Sequence, residues 1–157
     1  MRTKFAATLL FAALWGISAS TAFGQLPESW NGVGSQRDDY EIGVDRTVRH
    51  GAKASGFIKA KAADPKGFAA LMQTFRADDY RGKRLRLSGY VKTDAIGDWS
   101  GLWVRIDSET KTVAFDNMQE RKIQGTSDWK KYDIVLDVPA DSVNISFGIL
   151  LAGKGQT

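Results

Sequence analysis

The chain has 157 residues with 22 Lys and Arg, 18 Asp and Glu, a single histidine and no cysteine, for a formal net charge of +4. Absence of cysteine excludes disulfide stapling, thiolate metal sites and a lipid-modified N-terminal cysteine. The charges are interspersed rather than gathered into a basic stripe, which argues against nucleic acid as a partner.

At the N-terminus, Arg2 and Lys4 precede an apolar run from Phe5 to Ile17, and Ala22-Phe23-Gly24 places small residues at the −3 and −1 positions of a cut before Gln25. That is the pattern of a secretory signal peptide over residues 1–24. The run is too short for the roughly 20 apolar residues that span a bilayer. The expectation is a periplasmic or secreted protein, with no membrane attachment after cleavage. One mature domain over residues 25–157 would then carry a net charge of +2, because Arg2 and Lys4 leave with the signal. The Arg81-Gly82-Lys83-Arg84 cluster reads as a turn flanked by solvated charges.

Along the mature chain, Leu26 to Arg37 reads as a loop rich in Gly and Ser, with Trp30 tacking it onto the domain. Strands are predicted at Tyr40 to Asp45 and Ala54 to Lys61, separated by a polar turn over Arg46 to Gly51. Asp64-Pro65-Lys66-Gly67 is turn chemistry. Phe68 to Arg76 also fits a helical period, but turn signals bracket it and it is read as strand. Further strands follow at about 83–93, 100–108, 111–117, 130–137 and 143–151, with turns at Gly97-Asp98, Ser108-Glu109 and Pro139-Ala140-Asp141. Alternation predicts the inner faces. Leu85, Leu87 and Val91 share one side of their strand; Leu102, Val104 and Ile106 do the same in the next. Phe57, Ile134, Leu136, Ile145 and Phe147 complete the expected core. About eight strands with no convincing helix imply an all-β sandwich or barrel.

Several segments carry a resemblance. Phe68-Ala69-Ala70-Leu71-Met72-Gln73, Tyr80 through Gly89, Phe115-Asp116-Asn117-Met118, Gly125 through Tyr132 and Phe147 through Gly153 are similar to pieces of bacterial galactose-binding-like jelly-roll domains. The similarity runs from about Tyr40 onward and is nearest the carbohydrate-binding-module branch, especially small exported or regulator-associated domains without an assigned ligand. It implies a jelly-roll β-sandwich of two antiparallel sheets. Such domains usually continue past the Gly-x-Gly turn into a closing strand, so the resemblance also implies a fragment lacking its last strand and exposing a sheet edge. Asp45 would be the first-strand member of a structural calcium site seen in some relatives, but the closing aspartates are absent.

Catalytic motifs do not assemble. His50 lies in a polar turn with no nucleophile or orienting carboxylate indicated by any motif, and is read as a loop histidine. Gly97-Asp98-Trp99-Ser100-Gly101 has its serine misplaced for a nucleophile elbow. Gly32-Val33-Gly34 lacks the third glycine of a dinucleotide loop. No cofactor is expected. Asp107 and Asp116 on adjacent strands are the nearest thing to a glycosidase pair, but Asp107 precedes a turn and Asp116 points opposite to Asn117.

What remains is recognition at a surface. Trp103 and Arg105 share a strand face, as do Arg86, Ser88 and Tyr90. Gln73 and Asn117 would join them if their strands pair nearby, giving Gln73, Arg86, Tyr90, Trp103, Arg105 and Asn117 as one ligand-binding patch. An aromatic with a few convergent polar groups is the usual make-up of a small-ligand site. Trp129 is expected to be structural, and Trp99 to lie in a loop at the rim. Three readings compete: a noncatalytic module binding carbohydrate or a similar polar ligand on one sheet face; an exported structural or protein-interaction domain; and a hydrolase with unrecognised carboxylates. Exposure of Trp103 and Tyr90 discriminates the first two.

Overall fold

The computed structural model describes residues 26–157; the expected signal peptide lies outside these described residues. Eight strands run in chain order: β1 (Asn31–Gly34), β2 (Tyr40–Asp45), β3 (Ser55–Ala60), β4 (Phe68–Arg76), β5 (Arg84–Asp107), β6 (Thr112–Asp116), β7 (Ile123–Asp137) and β8 (Asn144–Ala152). Short 3₁₀ turns at Arg37–Asp39 and Gln119–Arg121 are the helical elements among the described residues. All strand pairing is antiparallel, in the order β1-β4-β8-β5-β6 with β7 also on β5, beside a β2–β3 hairpin. The predicted jelly-roll β-sandwich is the fold observed.

Two expectations need correction. The predicted strands at 83–93 and 100–108 are one strand of 24 residues, and Asn31–Gly34 pairs with β4 where a loop was read. Gly97-Asp98 looks like a turn because glycine and aspartate favour turns. Here the chain bends without breaking its pairing. Register slips between Val91 and Thr93, Thr93 and Ile96, and Ile96 and Ser100, and Ala95 takes a left-handed φ of 51°. Bulges of this kind bend a strand and increase its twist.

The bend divides β5 between two walls. Its first half pairs with β7, and its second half lies between β8 and β6. The halves face each other: a Cβ added to Gly89 would sit 3.3 Å from Leu102 Cδ2. The front wall is β2, β3, the first half of β5 and β7; the back wall is β1, β4, β8, the second half of β5 and β6. Between them lies the core, with Val91 and Ile134 from the front against Leu102, Val104, Ile106 and Ile145 from the back. Leu87, Leu136 and Phe147 pack onto it half-buried, and Phe57 is buried. A second cluster joins Tyr40, Ile42 and Ile58 of the hairpin to Ala69, Leu71 and Leu151. Trp30 meets Phe147 edge-on at 5.6 Å between centroids, tying the N-terminal segment to the back wall.

The last residues complete part of the front wall. Ile58 and Thr157 exchange N–H···O bonds of 2.8 and 2.9 Å, and the Ala60 N–H donates to the Gly155 carbonyl. On the other side Asp94 and Gln156 exchange two bonds of 2.9 Å. Gly155, with φ of 108°, permits this approach, since a Cβ there would lie 2.7 Å from the Asp94 and Ala95 carbonyl oxygens. Gly155–Thr157 is thus the strip that joins the hairpin to β5.

Candidate functional site

The bend in β5 decides which side chains can share a surface. Counting by twos from core-facing Leu87 and Val91 sends Arg86, Ser88 and Tyr90 to the outside of the front wall. The same count from Leu102, Val104 and Ile106 sends Trp103 and Arg105 to the outside of the back wall. These two outsides are opposite faces of the sandwich. Gln73 belongs to neither, because it stands directly opposite core-facing Phe147. Asn117 follows β6, and its Oδ1 accepts the Gln119 N–H at 3.2 Å. The six residues Gln73, Arg86, Tyr90, Trp103, Arg105 and Asn117 therefore do not form one patch. The expectation treated two halves of one bent strand as neighbours in a flat sheet.

The back-wall group is filled. Trp103 is 7% exposed and packs with Ala70 and Leu150, flanked by Val33, Met72 and Trp99. Its ring lies against Gly148, whose added Cβ would be 3.2 Å from the indole nitrogen. The Trp103 Nε1–H is buried without a hydrogen-bond partner. Arg105 Nε donates to Asp107 at 2.9 Å, and Thr112 donates to the same carboxylate at 2.7 Å. Trp99, read as a loop residue at a rim, lies in β5 as part of this packing. Asp116, opposite Val104, is held by Arg121 at 2.7 and 3.1 Å and by the Met118 N–H at 2.8 Å. Burial raises its pKa, but these donors outweigh burial and hold it below the ordinary aspartate value. Each carboxyl of the Asp107/Asp116 pair is engaged with its own basic partner.

The front-wall group is open. Tyr90 is 51% exposed, and the His50 ring stacks on it at 3.9 Å with a 22° interplanar angle. His50 comes from the loop between β2 and β3, so this stack spans the space between the hairpin and β5. Trp129 of β7 lies 5.7 Å from the same imidazole. It is placed there because Tyr90 pairs with Lys131, and Trp129 is two residues away on the same face. Beside it Lys92 donates to Asp128 at 3.0 Å. The Trp129 N–H bonds to Asp128, and that bond, with Lys92, holds the Asp128 carboxyl below the usual aspartate range. Arg86 lies farther along this face, opposite Val135.

Behind the aromatic group is a cavity of about 890 Å³. Leu71, Leu87, Leu102, Phe147 and Ile149 line its interior, and His50, Tyr90, Lys92, Ser127, Asp128 and Trp129 stand at its polar and aromatic mouth. An apolar hollow with a few polar groups at its edge is the general form of a small-ligand site.

Of the six residues in the expected patch, Tyr90 is the one at this mouth; the sequence reading gave no binding role to His50, Lys92, Asp128 or Trp129. The alternation of β7 was the available signal, since it puts Trp129 on the face of Lys131 and Asp133. Asp45, the position that matches the first-strand member of some relatives' calcium site, accepts the Thr47 and Val48 N–H groups and the Thr47 hydroxyl at 2.7–2.9 Å. Among the described residues no group of three or more His, Cys, Asp or Glu is placed to hold a metal ion.

No family model matches the chain. Over 131 residues it is 47% identical to an uncharacterized HTH-type transcriptional regulator, YbfP, of Bacillus subtilis (strain 168); the match covers 82% of this chain and 44% of the regulator. The chain therefore spans less than half the length of that relative. Among solved structures, it is similar to the enzymatically active domain of tailspike protein 4 of bacteriophage CBA120, with a TM-score of 0.61 and 14% identity over 82% of this chain and 18% of that one. The xylan-binding domain from CBM 22 gives a TM-score of 0.51 at 12% identity, covering 82% of this chain and 86% of that one. The TmCBM61 structure in complex with β-1,4-galactotriose gives 0.52 at 11% identity, covering 82% and 81%. At these identities the likeness is one of fold.

Proposed function

We propose that this galactose-binding-like jelly roll, the sandwich of carbohydrate-binding modules, is a noncatalytic module that binds a carbohydrate at the front-wall mouth formed by Tyr90, Trp129 and His50. The observation that carries the reading is the exposed Tyr90, held by the His50 stack at the opening of the cavity. Sugars present apolar C–H faces rimmed by hydroxyls. The exposed tyrosine with Trp129 beside it offers an aromatic edge for the former; Lys92, Asp128 and Ser127 offer donors and acceptors for the latter. This moves the expected sugar-binding face from Trp103, which is packed, to Tyr90, which is open.

Binding is tested by titrating the chain with xylo- and galacto-oligosaccharides in a calorimeter and by a thermal-melt screen against a wider panel. A ligand at about 100 times its dissociation constant adds roughly 2.7 kcal/mol to the stability of the folded state. The expected result is a shift with at least one sugar that Tyr90→Ala and Trp129→Ala abolish while both variants still melt cooperatively. A shift retained in both variants refutes this placement of the site.

A second reading has its own support. The match to a transcriptional regulator, with this region making up less than half of it, favours a protein-interaction domain. Phe115, 53% exposed on the back wall, would belong to such a surface. A screen in which no sugar moves the melt, with Phe115→Glu weakening self-association or regulator contacts, would favour this second reading over the first.

A further inference from the structure

The mouth framed by Tyr90, Trp129 and His50 carries an uneven charge. The loop between β2 and β3 that delivers His50 reads Arg46-Thr47-Val48-Arg49-His50-Gly51-Ala52-Lys53-Ala54, three cations with no acidic residue. Val48 and His50 line the cavity and the His50 ring rests on Tyr90, so this loop is seated at the opening. Consecutive Cα atoms lie about 3.8 Å apart, which keeps Arg49 beside the stack. The Arg49 Nη1 donates to the Ala52 carbonyl at 3.1 Å, a bond within the loop that steadies the side chain. A guanidinium has five N–H donors, so its Nε–Nη2 edge is left to bind an acceptor.

The acids at the opening do not balance these cations. Asp45, Asp94 and Asp128 are the carboxylates that line the cavity, and each is engaged. Asp45 holds its own turn through Thr47 and Val48. Asp94 accepts the Thr126 hydroxyl at 3.4 Å, and Asp128 takes Lys92 and the Trp129 N–H. Among the described residues, Arg46, Arg49 and Lys53 have no carboxylate partner. Scattered surface cations are ordinary. Here they are concentrated on the one loop that meets the exposed aromatic group.

We propose that the carbohydrate taken at this mouth is an acidic one, a glycan bearing a uronic-acid carboxylate, with a sugar ring against Tyr90 and the carboxylate on Arg49. The proposal rests on the carbohydrate reading and narrows it. A guanidinium edge meets a carboxylate with two parallel N–H···O bonds, stronger than those between neutral groups. Arg46 and Lys53 add attraction at longer range, which salt screens beyond roughly 10 Å.

The test is calorimetric titration of the full chain with two matched pairs. One is trigalacturonate against its methyl triester; the other is xylotetraose with and without a glucuronosyl branch. The expected result is that in at least one pair the acid binds about threefold to tenfold more tightly at low salt, and that this advantage shrinks at about 0.5 M NaCl. It should disappear in the exposed-loop variant Arg49→Gln/Lys53→Gln, whose thermal melt should match the parent. Tyr90→Ala should lose the acid too, whereas a general attraction to anions would survive that change. Equal affinity within both pairs, an advantage that persists in the double variant, or acid binding that survives Tyr90→Ala overturns the proposal. If neutral sugars still bind, those results leave the carbohydrate reading standing; binding of no sugar at all overturns both.

Discussion

Gly89 and Leu102 are thirteen residues apart on the same strand, yet they face each other across the core, with room for no more than a methyl group between them. A Cβ at Gly89 would lie 3.3 and 3.4 Å from the two Leu102 methyls. Those methyls end a flexible side chain, so Gly89→Ala should cost little. Gly89→Val presses two more carbons toward the Leu102 side chain and should destabilise by about 1–3 kcal/mol. Urea unfolding of the two variants measures the difference, and equal midpoints would contradict the fold-back of β5.

Trp103 is expected to matter for stability and not for ligand. Trp103→Ala should cost about 3–5 kcal/mol, the usual range for removing a large buried aromatic. Trp103→Phe should cost clearly less, because it keeps part of the ring and removes an indole N–H that has no partner. Denaturant melts give both values. Sugar affinity per folded molecule should be unchanged in Trp103→Phe.

Gly148 should accept no side chain. An added Cβ would fall 1.8 Å from the Leu71 carbonyl oxygen, which belongs to the backbone of the neighbouring strand. Overpacking that only moves side chains costs about 1–3 kcal/mol, and this clash exceeds that class. Gly148→Ala is expected to unpair β4 from β8; loss of protection at Leu71 and Gln73 amides in hydrogen exchange would report it.

Stability should fall on acidification. Asp45, Asp116, Asp128 and Asp137 all have pKa values lowered in the folded state. A lowered pKa means that the unfolded chain binds protons first as pH falls. The associated stabilisation is therefore present above the unfolded aspartate value, about 3.9, and is lost as pH drops through the lower folded values. Melting temperature should decline from pH 5 to pH 2. Asp116→Asn, which weakens the Arg121 pairing, should flatten that decline; an unaltered slope would remove Asp116 from the account.

Much of the fold was legible because alternation alone separates inside from outside. Val104, Ile106, Ile134 and Ile145 were assigned to the core that way and are buried. The strand reading of Phe68–Arg76 held against a competing helical period, because β4 lies between β1 and β8 with pairing on both edges. Alternation reports which face a residue takes within its own strand. It does not report which wall that strand belongs to. Arg86 and Tyr90 went astray from Trp103 and Arg105 for that reason, since a bulge at Ala95 leaves no motif as plain as a turn. The His50–Tyr90 stack depends on how a loop folds over a gap between strands, and nothing local in Arg46–Gly51 encodes that.

Residues 84–107 thread both walls, which makes the domain indivisible. A break at Ala95 would leave β7 with half of its partner and β8 with the other half, so neither wall could be assembled first and docked later. The pairing partners of this one strand also come from far along the chain, at 123–137 and 144–152. Such distant pairings make for slow folding with a high contact order. Heat or denaturant should then take the sandwich apart in a single step, with fluorescence of front-wall Trp129 and back-wall Trp103 changing at the same midpoint.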